Sequence, residues 1–124
     1  MSTDTQFTHL AWKREEKELA DVKYLMASDP TGKVAKMFGV YLDDAGLALR
    51  GAYLISPDGK LMTSLVTFLN VGRNIDELLR MLKANIYLGK KTDEGCPSKW
   101  NDDGDATLKP SKDMVGRVHE ALRK

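Results

Sequence analysis

The chain has 124 residues, with 19 Lys plus Arg against 18 Asp plus Glu, a formal net charge of +1 and a single cysteine. No single-sign block marks it for nucleic acid or an acidic membrane, and no apolar stretch reaches the roughly 20 residues of a spanning helix. One cysteine cannot close an internal disulfide and the two His lie far apart, which argues against a metal site; the expectation is a soluble cytoplasmic chain of one-domain length whose thiol is free, metal-bound or paired with another polypeptide.

Residues 9–21 predict a helix, with Trp12 and Leu19 seven apart on one face and KREEKE in solvent. KYLMAS, 23–28, predicts a short strand stopped by Asp29-Pro30, and TGKVAKMF, 31–38, a short helix ending at Gly39. VYLDDAGLAL reads as a loop. RGAYLIS and KLMTSLVTF predict two strands around the Pro57-Asp58-Gly59-Lys60 turn, apolar on both faces as in a sheet covered on each side. The clearest helix spans about 75–89: Ile75, Leu78, Leu79, Leu82 and Ile86 form a stripe expected to face the core, and Asn74 and Glu77 stand at capping-box positions. DEGCPSKW, 93–100, holds the lone thiol in a charged, exposed-looking stretch. NDDGDATLKPSKD then reads as an extended arm, and MVGRVHEALRK as an amphipathic helix with Met114, Val118 and Leu122 inward and His119 on the surface.

These elements predict an α/β fold with helices on a small mixed sheet. Three strands, two of them built for burial on both faces, leave too little partner backbone for one closed sheet, and long apolar edges recruit other chains.

STDTQFTHLAW at 2–12, DPTG at 29–32, GLALRGAYLISPDG at 46–59, VGRNIDELLRMLKA at 71–84 and CPSKW at 96–100 resemble, in order and spacing, the typical two-cysteine peroxiredoxins, nearest the bacterial alkyl hydroperoxide reductase C branch. The resemblance implies a thioredoxin-like fold. In that family a peroxidatic Cys, in a motif Pro-x-x-x-Thr/Ser-x-x-Cys at the first turn of a helix, attacks a hydroperoxide and becomes a sulfenic acid. A resolving Cys of the partner subunit condenses with it, and a thioredoxin-like or flavoprotein disulfide reductase restores both thiols. No cofactor is implied.

Cys96 falls at the resolving position. The peroxidatic motif occurs nowhere in the sequence, and Met1 stands directly before Ser2, where the family has two strands and the peroxidatic helix. The expectation is therefore an incomplete thioredoxin-like (peroxiredoxin) fold lacking the N-terminal strands and the peroxidatic-Cys helix, whether by gene splitting, a downstream start or deliberate truncation. Residues 1–90 would be the partial peroxiredoxin domain and 91–124 the C-terminal arm with the resolving Cys.

The resemblance assigns further roles. Arg50 matches the active-site arginine that favours the peroxidatic thiolate and stabilises charge on the peroxide. Arg73 matches a second arginine that supports the active-site helix through a carboxylate, a partner expected to be missing here. Phe7, Thr8, His9 and Trp12 match the surface through which family dimers assemble into rings, and Trp100 is expected to pack the arm. Two functions follow: the resolving part of a thiol peroxidase, active only with a polypeptide carrying the peroxidatic Cys, or an inactive remnant serving assembly or regulation. Either would form homo-oligomers.

Overall fold

A computed structural model describes residues 1–123. The chain forms two units, one of Met1–Gly51 with Leu65–Gly72 and the other of Ala52–Ser64 with Arg73 onward.

In the first unit, α1 (Gln6–Glu15) begins three residues before the expected start because Thr5 caps it: the Thr5 hydroxyl accepts the Thr8 N–H at 3.3 Å. α1 ends at Glu15, and Lys17–Leu19 continues as a single 3-10 turn. Residues 23–28 do not form the expected strand. Among the described residues their backbone pairs only with Ser2, through a parallel bridge at Ser28, and Leu25 stays 94% exposed.

Asp29 then does structural work. It is buried, and its Oδ2 accepts the Ala35 N–H at 2.8 Å, tying the start of α2 (Lys33–Met37) to the preceding turn. Gly32 at φ 66 lies against the Tyr41 ring, so close that an added Cβ would fall 2.3 Å from it. The stretch expected as a loop after Gly39 is a hairpin instead: β1 (Tyr41–Leu42) pairs antiparallel with β2 (Leu47–Ala48), Tyr41 opposite Ala48, around the DDAG turn. Val40 is buried beside it, and Lys36 pairs with Asp43 and sits over the Tyr41 ring.

The predicted main hairpin is present. β3 (Arg50–Ile55) and β4 (Leu61–Thr67) form a second two-stranded sheet, antiparallel because residues 56–60 are too few for a crossover. Ser56 N–H donates to the Lys60 carbonyl at 2.9 Å, and Gly59 takes φ 83 in the turn. The expected single mixed sheet is thus two separate two-stranded sheets among the described residues.

In the second unit, α3 (Ile75–Lys90) matches the predicted helix. Asn74 caps it by accepting the Glu77 N–H at 3.2 Å, but the Glu77 carboxylate turns away from the capping box and pairs with Arg80. The predicted core stripe is also redistributed. Leu78 is half-buried, yet Ile75, Leu79, Leu82 and Ile86 are exposed, while Asn85, seven positions after Leu78 and on its side of the helix, reaches the Thr63 hydroxyl at 3.3 Å. Beyond the arm, the expected C-terminal helix shrinks to α4 (Val118–Ala121), and Val118 and Leu122 are exposed rather than inward. A four-residue helix has few hydrogen bonds of its own to hold it. His119 is on the surface as expected, and Lys124 lies outside the described residues.

Buried apolar residues are Ala35, Val40 and Trp100. No helix among the described residues is long and apolar enough to cross a membrane.

Candidate functional site

The best-built polar cluster surrounds Cys96. α3 presents Arg80, Lys83 and Tyr87 at i, i+3 and i+7, one face of the helix, and each takes a partner from the segment 94–102. The Tyr87 hydroxyl donates to Glu94 Oε2 at 2.6 Å. The Arg80 Nη1 donates to the Trp100 carbonyl at 3.1 Å, and Lys83 Nζ to Asp102 at 2.5 Å. Cys96 lies between the first two anchors.

The strap is closed on both sides of the thiol. Before it, Gly95 and Leu108 exchange both backbone hydrogen bonds, at 2.7 and 2.9 Å, and the Thr107 hydroxyl donates to the same Glu94 oxygen as Tyr87, at 2.6 Å. After it, Trp100 N–H donates to the Pro97 carbonyl at 2.9 Å and forms a turn over 97–100. Trp100 is 2% exposed and its ring meets Tyr87 at 5.4 Å between centroids, so the expected anchoring residue of the arm is indeed buried. Its indole N–H has no hydrogen-bond partner among the described residues, which costs about 1–3 kcal/mol and is offset by the ring's packing.

The charges act accordingly. The Thr107 hydroxyl, then that of Tyr87, holds Glu94 below the usual carboxylate range, and the same carboxylate raises Tyr87. Burial pushes the Cys96 thiol up; Arg80 pulls it down, and Glu94 adds a smaller upward push. Cys96 is therefore half-buried, not exposed as its charged neighbourhood suggested. The main cause of the upward direction is burial, and the opposing cation is Arg80, sixteen positions earlier in the chain.

The other expected site residues lie on other elements. Arg50 is exposed at the start of β3, in the first unit, and its Nε donates to the Leu69 carbonyl at 2.5 Å. Arg73, in the second unit, is exposed but engaged in an interaction, so it is not the free cation that loss of its family partner would leave. Phe7, Thr8, His9 and Trp12 share α1 but not an environment. Phe7 and Trp12 are 72% and 52% exposed and Thr8 is exposed, whereas His9 is 7% exposed. The His9 Nε2 meets the Ser2 hydroxyl at 2.7 Å and its Nδ1 the Ser28 hydroxyl at 3.3 Å, while Ser2 in turn donates to Asp4 at 2.7 Å. His9 thus ties the first residues to 23–28 and is unavailable to a surface.

Sequence reading passed over Arg80 and Tyr87. A signal existed: Arg80 and Tyr87 are seven apart on the helix that precedes the thiol. Nothing local, however, tells which residues of a loop will fold back onto them. No group of three or more His, Cys, Asp or Glu among the described residues is placed to hold a metal ion.

Residues 1–64 match the model of the AhpC/TSA family. Over 118 residues the chain is 42% identical to alkyl hydroperoxide reductase C of Escherichia coli (strain K12), covering 95% of this chain and 63% of that protein. Its structure is similar to that of reduced Plasmodium vivax 2-Cys peroxiredoxin, with a TM-score of 0.82 and 34% identity over 90% of this chain and 58% of that one. Enterococcus faecalis AhpC gives 0.73 and 33% identity over 77% and 57%. The chain thus spans less than two thirds of the length of these relatives.

Proposed function

The chain belongs to the AhpC/TSA family, and from that membership we propose that it supplies the resolving cysteine of a thiol peroxidase that reduces hydrogen peroxide and alkyl hydroperoxides. The observation that carries this reading is the state of Cys96: one thiol, raised by burial, strapped to α3 on both sides. A raised thiol is a slow first attacker on peroxide, because the thiolate is the nucleophile. It suits a second step, in which the electrophile is already made and is delivered next to it.

In that step the Cys96 thiolate gives its electron pair to the sulfenic sulfur of a second polypeptide. The S–S bond forms, the S–O bond breaks, and the oxygen leaves as hydroxide and is protonated to water. Hydroperoxide has by then been reduced by the other cysteine. A dithiol reductant, thioredoxin-like or from a flavoprotein, would return both sulfurs to thiols. Arg50 is assigned to the peroxide and its attacking thiolate, Arg73 to the support of that site. The exposed Phe7, Thr8 and Trp12 are assigned to contacts between copies; a cytoplasmic setting would keep Cys96 reduced between turnovers.

The test mixes the chain with a peroxiredoxin fragment bearing the peroxidatic Cys and adds peroxide. A disulfide-linked heterodimer is expected, absent with Cys96→Ser. A partner that oxidises while Cys96 stays reduced would overturn the proposal in favour of an inactive remnant.

A further inference from the structure

Arg80 makes contacts of two kinds. Its Nε and Nη2 form a two-pronged pair with the Glu77 carboxylate at 2.6 and 2.7 Å, one turn back on α3. That fork fixes the plane of the guanidinium, and Nη1 is then aimed at the Trp100 carbonyl, 3.1 Å away, outside the helix. The carbonyl belongs to the turn closed by Trp100 N–H on Pro97, so holding it holds the CPSKW segment. The Arg80 side chain is 24% exposed, so water screens its field incompletely.

We infer that Arg80 is a positioning residue for Cys96: it clamps the 97–100 turn to α3 and sets a fixed cation that acts on the sulfur when the sulfur carries charge. This rests on the reading of Cys96 as the resolving thiol. The cation favours the thiolate against the burial and the Glu94 carboxylate that oppose it, and Arg80 is the group that lowers the thiol among those that act on it. Glu77 does not act on Cys96 directly; it holds Arg80 in place and keeps its charge from swinging into solvent. A lysine at position 80 would keep a charge but lose the fork, and with it the direction of the third bond.

The experiment uses the full chain with Arg80→Ala and Arg80→Lys. One measurement is the rate of Cys96 alkylation by iodoacetamide against pH; the other is hydrogen exchange at 97–101. Arg80→Ala is expected to move the midpoint of the alkylation profile upward, cut the rate at neutral pH by about threefold and speed exchange. Arg80→Lys is expected to hold the midpoint near that of the parent while still speeding exchange. A folded Arg80→Ala chain with both midpoint and exchange unchanged overturns the inference. Should Arg80→Ala not fold, Arg80→Lys decides it: faster exchange supports the clamp, and exchange equal to the parent's overturns it. Alkylation needs no peroxidatic partner. A chain that passes here but forms no mixed disulfide would therefore count against the proposed function and not against the clamp.

Discussion

On one face of α3, Arg80, Lys83 and Tyr87 each hold a group from the 94–102 segment; on another, Ile75, Leu79, Leu82 and Ile86 stand in solvent. The helix is the same and the spacing is the same, so helical periodicity cannot be the cause of the difference. The polar face found its partners within its own unit, because side chains with directional hydrogen bonds can order a short strap without a large area. The apolar face needs a broad cover, and a strap of this length does not supply one. Order around the thiol therefore comes from a few placed contacts and one buried ring, that of Trp100.

The strongest way to break the comparison is Trp100→Ala. It removes the one large side chain buried on the strapped face and is expected to cost about 3 kcal/mol, the low end for such truncations because the unpartnered indole N–H disappears with it. Loss of exchange protection at 94–108 with α3 retained is the expected result.

Acid should release the same strap from its other end. Glu94 is held below the usual carboxylate range by the Thr107 and Tyr87 hydroxyls, so its contribution is complete above the ordinary carboxylate value and disappears as pH falls through the lowered one. Protection at 94–108, corrected for intrinsic exchange rates, is expected to hold from neutral pH down to about 5 and to fall below about 4. Glu94→Gln should weaken that acid dependence at 94–96 and 107–108, leaving the part that the lowered Asp102 and Asp105 contribute.

Asn74→Ala acts on both faces at once by removing the α3 cap. It should cost about 1 kcal/mol in thermal or denaturant unfolding, and should lower helicity without moving the alkylation midpoint of Cys96. The smallest effect belongs to the open face. Leu82→Gln is expected to change the stability of the chain by less than about 0.5 kcal/mol, since the leucine is already exposed. A loss of more than about 2 kcal/mol would mean that this stripe is covered in solution, and sedimentation at several concentrations would then show whether a second copy covers it.

What could be read from residue order alone is what local chemistry decides. The Pro57-Asp58-Gly59-Lys60 turn closes because Gly59 tolerates its positive φ, and α3 starts at Ile75 because the Asn74 side chain before it reaches the Glu77 N–H. The family, too, was visible in ordered motifs from STDTQFTHLAW to CPSKW. Three features were decided only in the tertiary structure. Residues 23–28 have strand composition but no neighbouring strand among the described residues, so they form no strand and Tyr24 and Leu25 stay exposed. DDAG, read as a loop, closes a hairpin because Val40 is buried and Leu49 N–H returns to its carbonyl at 2.8 Å. The surroundings of Cys96 depend on Arg80, sixteen positions earlier, and on Leu108, twelve later, and contact across such a separation depends on how the whole chain closes its loops. Sequence named the thiol; the fold determined which charge it meets, because burial and electrostatics act through space and not along the chain.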